Sequence, residues 1–233
     1  MGCASNSDVR RTRFDMSDGF LERVWAFREE QIYPDIFGDL GNGVFTLDQE
    51  TFGVFEQSPD PRWLFTGVFE SAPSSKHLGW LYVSSGLSNP WEQEEPNRSP
   101  DKPSWLGVEF FLHTTERGPW AIRILQRVAA FEILLAHNRY PGRERLEFGD
   151  RIPLRGPMVP QSESLLTHLL VAPPATLQKR FQLQSGWVEL VQLVGITESE
   201  AAYGRENGLE PLIEILDSGG AYSVSDPWRH SLV

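Results

Sequence analysis

Residues Trp187–Ile196 read Trp-Val-Glu-Leu-Val-Gln-Leu-Val-Gly-Ile, apolar almost throughout. A strand like this has no face to give to water, so it belongs at the centre of a sheet that is covered on both sides. It runs straight into Thr197-Glu198-Ser199-Glu200, a capping box. There the Thr197 hydroxyl can accept the N–H of residue 200 while the Glu200 side chain reaches back to the N–H of residue 197. The helix it starts is predicted to run to about Glu206 and to stop at Asn207-Gly208. A buried strand turning directly into a helix constrains the class of the whole chain. The expected fold is α/β of the α+β type: a mixed, mainly antiparallel sheet flanked by helices.

Other segments fit that frame. Phe20, Leu21, Val24, Trp25 and Ile32 recur at helical spacing, which predicts a helix from about Asp18 to Ile32, capped by Ser17 or Asp18 and ended by Tyr33-Pro34-Asp35. Short β-branched and aromatic runs predict strands at 43–47, 51–57, 62–70, 79–85, 105–113 and 165–171. Residues Glu92–Ser104, with three prolines and several charges, read as an exposed loop. Pro119 suits the first position of a helix over Trp120–Asn138, apolar on most of its circumference except for Arg123, Gln126 and Arg127, and ended by Pro141-Gly142. Pro211–Leu216 is a further short helix. Residues 1–15 are expected to be a flexible tail and residues 16–233 one domain, with no internal repeat.

The chain of 233 residues is long enough for a sizeable core, and its eight Trp and 40% hydrophobic residues mark a folded protein. Its net charge of −11 argues against nucleic acid as a partner, because phosphate binding needs Lys and Arg to displace counterions. The charge is uneven. Residues 14–60 hold eleven Asp and Glu against two Arg, whereas residues 111–160 hold eight Arg against five acids. An acidic face of this kind steers a basic partner. The lone Cys3 allows no intrachain disulfide, which suits a reducing cytoplasm. Asn6 stands where a myristoylation signal needs Ser or Thr, and no apolar segment precedes Cys3, so neither lipid anchor is expected. No run is long enough to span a bilayer, and a cytoplasmic location without membrane contact is expected.

Catalytic patterns are scarce. His77, His113, His137, His168 and His230 form no pair at metal-ligand spacing, and there is no His-Glu-x-x-His, Gly-x-Ser-x-Gly or phosphate-binding loop. No cofactor, metal or enzymatic activity is expected. The alternative of a dispersed enzyme site falls on Glu109, Asp150 and His168, of which Glu109 lies inside an aromatic strand and needs a partner there. A self-associating scaffold is the other alternative, through an exposed patch of Trp.

Five segments in order carry a resemblance. They are Tyr33-Pro34-Asp35; Gly79-Trp80-Leu81-Tyr82-Val83-Ser84-Ser85-Gly86-Leu87-Ser88; Trp105-Leu106-Gly107-Val108-Glu109-Phe110-Phe111-Leu112; Ser162-Glu163-Ser164; and Trp187–Ile196 running into Thr197–Glu200. Over roughly residues 20–226 the chain resembles the Suppressor of fused (Sufu) family. The resemblance implies a mixed α/β domain that binds protein and has no known catalysis. Animal members restrain zinc-finger transcription factors and grip a peptide between two domains. This chain's length leads us to expect one domain only, as in short bacterial members, for which the implied role is an immunity protein neutralising a toxin of a polymorphic toxin system. In the family, the acidic residue after Gly-Leu-Ser and the Glu of the second strand help hold the partner. Here those positions are Asn89, which lacks the charge, and Glu109.

The expected contact surface is the sheet edge around Trp80, Tyr82, Asn89, Trp105 and Glu109, together with Glu92, Glu94 and Glu95 of the loop. The partner is expected to be another protein, of basic character.

Overall fold

The computed structural model describes residues 19–41, 43–91 and 101–233. Two twelve-residue strands, β4 (Pro103–Thr114) and β8 (Gly186–Thr197), form its centre. They pair in parallel, with Val108 opposite Glu189 and Leu112 opposite Leu193. All other pairings among the described strands are antiparallel, and an isolated parallel bridge joins Thr114 to Ser225. Beyond β4 lie β3 (Trp80–Ser85), β2 (Gly67–Ser71) and β1 (Val44–Thr46). Beyond β8 lie β6 (Leu166–Ala172) and β5 (Arg151–Pro153), while β7 (Arg180–Leu183) pairs with the first residues of β8. The apolar β8 is thus central and paired along both edges, as its sequence requires.

Alternation along β8 separates two layers. Val191 and Leu193 face a core built on α4 (Pro119–Ala136), which contributes Ala121, Leu125, Val128 and Ile133 against Tyr82, Phe110 and Leu112. Val188 and Leu190 face the other way, together with Leu81, Val83 and Phe111, and are covered by Phe20, Val24, Tyr33 and Phe37. Further along the same face, Val194 and Ile196 are covered by Ala201 of α5 (Glu198–Asn207) and by Leu212 and Leu216 of α6 (Leu209–Ser218). The capping box at Thr197 is formed as expected, with both reciprocal hydrogen bonds present.

Three segments depart from the sequence reading. Pro34 does not end the first helix. Helix α1 (Phe20–Phe27) continues through a π turn, Arg28–Ile32, into α2 (Tyr33–Phe37), and the run stops only at Gly38, with φ of 81°. Within the wide turn the Tyr33 N–H bonds the Arg28 carbonyl. This shift of the ladder accommodates a residue that has no N–H to give. Residues 51–57 form no strand. Asp48 accepts the Thr51 N–H at 2.7 Å and starts α3 (Gln49–Gly53), so a local cap outweighs the β-propensity of Phe and Val. Residues Pro61–Phe65 wind into a 3₁₀ turn capped by Asp60, and only the end of the expected strand at 62–70 joins the sheet, as β2. Two short strands, β5 and β7, are not among those the sequence predicts. The tail at 1–15, the caps Ser17 and Asp18, and residues 92–100 of the expected loop lie outside the described residues.

At one end of the β3–β4 pair, the His113 Nε2 accepts the Gly79 N–H at 3.1 Å and its Nδ1 faces the Ser223 carbonyl at 3.0 Å. That arrangement needs a neutral ring. Burial first, and then the neighbouring His77, push the pKa of His113 down to about 4. Its unfolded-state value is about 6.5. A base with a depressed folded pKa stabilises fully above the unfolded value and loses that contribution as pH falls from about 6.5 towards 4. Urea denaturation should therefore show stability falling by about 2 kcal/mol from this group between pH 7 and pH 5. In a His113→Gln variant the slope in this window should flatten, and an unchanged slope would place the proton uptake elsewhere.

Candidate functional site

Beyond the irregular start of β4 its odd positions point to the α1–α2 side, which places Glu109 beside Phe111 with no exposed surface. Four donors converge on its carboxylate. These are the Gly86 and Ser88 N–H groups, both at 3.0 Å, and the Ser84 and Ser88 hydroxyls, both at 2.6 Å. The turn after β3 is folded around this carboxylate. Gly86 has φ of 136°, and a Cβ there would stand 2.5 Å from the Thr66 backbone, so no other residue fits.

Arg28 enters from the π turn with 1% of its surface exposed. Its Nη1 lies 3.8 Å from the Glu109 Oε1 and donates to Ser88 Oγ and Asn89 Oδ1, both at 2.9 Å. Its Nη2 donates to Glu29 at 3.2 Å, and the Ser85 hydroxyl donates to the same Glu29 oxygen. Burial works against the Arg28 charge, but Tyr33, Glu109 and Glu29 outweigh it and the pKa is raised. Tyr33 donates to the Ser84 carbonyl at 2.6 Å. Burial, and next the Glu109 charge, hold its phenol well above the ordinary range. The π turn, β3, its following turn and β4 are tied together in one polar net.

Three rings lie over this net. Trp25 donates to Asn89 Oδ1 at 2.6 Å, stacks on Phe65 at 5.9 Å, and meets Trp91 edge-on at 6.3 Å. Phe65 and Trp91 are 5.8 Å apart. Phe65 is 41% exposed, and Trp25 and Trp91 are half-buried. Asn89 Nδ2 and Arg28 Nε beneath them, and Trp91 Nε1 of the rings themselves, are buried donors without a hydrogen-bond partner among the described residues.

The sequence-predicted residues divide between places. Glu109 and Asn89 meet in the net. Trp105, with φ of 48°, sits in the irregular start of β4 and packs on His137 at 6.0 Å. Trp80 lies at the opposite end of β3 under the Arg117 guanidinium, and Tyr82 is core, its hydroxyl accepting the Gly118 N–H. Glu92, Glu94 and Glu95 lie outside the described residues. The dispersed enzyme site does not assemble. Asp150 accepts the Glu147 N–H, His168 pairs with the Thr167 hydroxyl, and no hydrogen bond joins either to Glu109. Among the described residues no three His, Cys, Asp or Glu side chains gather as a metal site, and no helix is long and apolar enough to cross a membrane. Sequence reasoning missed Arg28, Trp25, Phe65 and Trp91. Arg28 did leave a signal, since it continues the Phe20–Val24 stripe at a spacing of four.

The family model described as Suppressor of fused protein (SUFU) matches residues 67–230. No curated protein matches the chain by sequence. Among solved structures, the Sufu–Fu complex aligns at 21% identity over 92% of each chain with a TM-score of 0.62. A SUFU homolog from Neisseria gonorrhoeae aligns at 22% identity, covering 92% of this chain and 97% of that one, with a TM-score of 0.61. Drosophila Suppressor of Fused aligns at 19% identity over 72% of this chain and 42% of its own, with a TM-score of 0.55.

Removing one member of a buried, hydrogen-bonded charge pair leaves the other uncompensated. Glu109→Gln, which turns an NH₂ toward donors, should lower the unfolding free energy by about 2–4 kcal/mol in urea denaturation. Arg28→Met should lose a similar amount, and the double variant should lose less than the sum because the two side chains are coupled. A Glu109→Gln protein as stable as the parent would mean that the net does not hold the turn.

Proposed function

The chain belongs to the Suppressor of fused family, and on that premise we propose that it works by binding another protein through the end of the sheet where Trp25, Phe65 and Trp91 lie over the Arg28–Glu109 net. The observation that carries this reading is the pairing of part-exposed aromatic rings with a rigid polar support. Tryptophan is among the residue types that dominate binding energy at interfaces, and anchors held in place before association lose little entropy on binding. The Sufu–Fu complex, on the same fold, contains a Sufu protein with a protein partner.

Within this site the predicted residues take different parts. Asn89 and Glu109 act from beneath, as supports of the rings. Trp105 lies in the strand that borders the turn. Glu92, Glu94 and Glu95 follow Trp91 in the chain, and Glu22 and Glu30 of the helical segment are exposed, an excess of acid suited to a basic partner. Trp80 and Tyr82 stand outside the proposed contact.

The test uses the product of the neighbouring gene as partner, with binding followed by interferometry. Phe65→Ala and Trp91→Ala should each weaken binding by about 2 kcal/mol, mainly through faster dissociation. Trp80→Ala should leave it unchanged. Changing Glu92, Glu94 and Glu95 together to Gln should slow association at low salt and matter less at high salt. Parent-like affinity in folded Phe65 and Trp91 variants would move the contact elsewhere. The narrower role of an immunity protein has its own readout: co-expression should protect cells from a toxin encoded next door, and the same two variants should lose that protection.

A further inference from the structure

On the α4 side of the sheet a groove of about 540 Å³ runs between α4, the end of α3 and the edge strand β5. None of its lining residues belongs to the three-ring patch or the net beneath it. Its floor is aromatic. Phe55 stacks on Phe131 at 5.7 Å, Tyr140 packs on Phe131 at 5.8 Å, and all three rings are half-buried. Its walls are basic. Arg127, Arg143, Arg151 and Arg155 line it against Glu144 and Asp150. The Asp150 carboxylate is occupied by the Glu147 N–H, and Arg151 by the Gly204 carbonyl. The exposed side chains of Arg127, Arg143 and Arg155 make no hydrogen bond or ion pair among the described residues. Arg155 is also held at φ of 60°, a left-handed conformation that costs a residue with a Cβ and recurs at functional positions. In a chain of net charge −11, uncompensated arginines gathered around half-buried rings are a local reversal of sign.

We infer that this groove is a second docking site, and that its occupant is an acidic peptide segment of a partner protein carrying an apolar side chain. Guanidinium groups match carboxylates in geometry as well as charge. Here they stand on separate walls, Arg127 on the helix, Arg143 on the following loop, Arg155 after β5, which suits charges spaced along an extended chain better than one compact phosphate. The aromatic floor takes the apolar side chain between them. The overall negative field of the protein opposes nucleic acid, whose charge is continuous, more than a short acidic segment.

Fluorescence anisotropy with a labelled synthetic peptide, Glu and Asp flanking a central Leu-Phe, tests this on the full chain. The peptide should bind saturably, and its Gln/Asn counterpart should bind about tenfold more weakly. Arg127→Gln combined with Arg155→Gln should weaken binding by about tenfold as well, and salt should act in the same direction. Phe65→Ala, in the other proposed contact, should leave peptide binding unchanged, so failure at one site is read separately from failure at the other. The inference is overturned by absence of saturable binding, by binding that is indifferent to the arginine substitutions, or by tighter, arginine-dependent binding of oligothymidylate or inorganic pyrophosphate, which would make the groove a phosphate site.

Discussion

A carboxylate without exposed surface has to be surrounded by donors, and Glu109 organises its neighbourhood on those terms. Two of its four partners are backbone N–H groups of the turn after β3. The turn therefore has one conformation, and Gly86 is the residue that can adopt it beside Thr66. The remaining demand is a cation, and among the described residues the helical segment brings it. Arg28 reaches the site from a π turn, the same turn carries Glu29 to the Ser85 hydroxyl, and α2 begins with Tyr33 on the Ser84 carbonyl. A buried ion pair of this kind adds little stability over a well-packed apolar replacement. Its effect is on geometry. It fixes how the N-terminal helices sit on the sheet, and so fixes the Trp25 ring, whose N–H shares Asn89 Oδ1 with Arg28.

How much of this was legible depends on whether the governing interaction is local. The central strand, the capping box, the long α4 and the strands β3 and β4 follow from periodicity and caps a few residues apart. The segment at 51–57 was misread because its Phe and Val favour a strand while Asp48, just outside it, caps a helical turn. Pro34 was misread because the rule that a proline ends a helix assumes a regular ladder, and here the ladder shifts before it. The site was half legible. Glu109 announced a need for a partner by lying in an aromatic strand, and Arg28 interrupts an apolar stripe. Neither position names the other, since their meeting depends on tertiary packing. The three rings come from a helix, a 3₁₀ turn and the loop after β3, and no spacing rule links such places.

The uneven charge also acquires a structural meaning. The acidic N-terminal region and the arginine-rich region are not two halves of a gradient along the chain. The helical segment at 20–37, with Glu22, Glu29, Glu30 and Asp35, packs on one face of the sheet, whereas α4 and the arginine-lined groove lie on the other, joined there by residues 47–55 of the acidic region. The sheet stands between that acidic helical segment and the groove, so a partner drawn to one need not compete with a partner drawn to the other.

The parallel pairing of β4 with β8 bears on how the chain is made. The strand that begins at Pro103 waits for one that begins at Gly186, and everything between them must be synthesised first. Until then β3 and β4 can pair as neighbours, but the outer edge of β4, rich in Phe110, Phe111 and Leu112, stays open. Non-local parallel closure of this kind is slow, and an unpaired apolar edge invites association with other chains in the meantime. A ribosome-bound fragment ending before residue 186 is thus a species at risk of aggregation, and its exposure lasts for the time taken to translate α4, β5, β6 and β7.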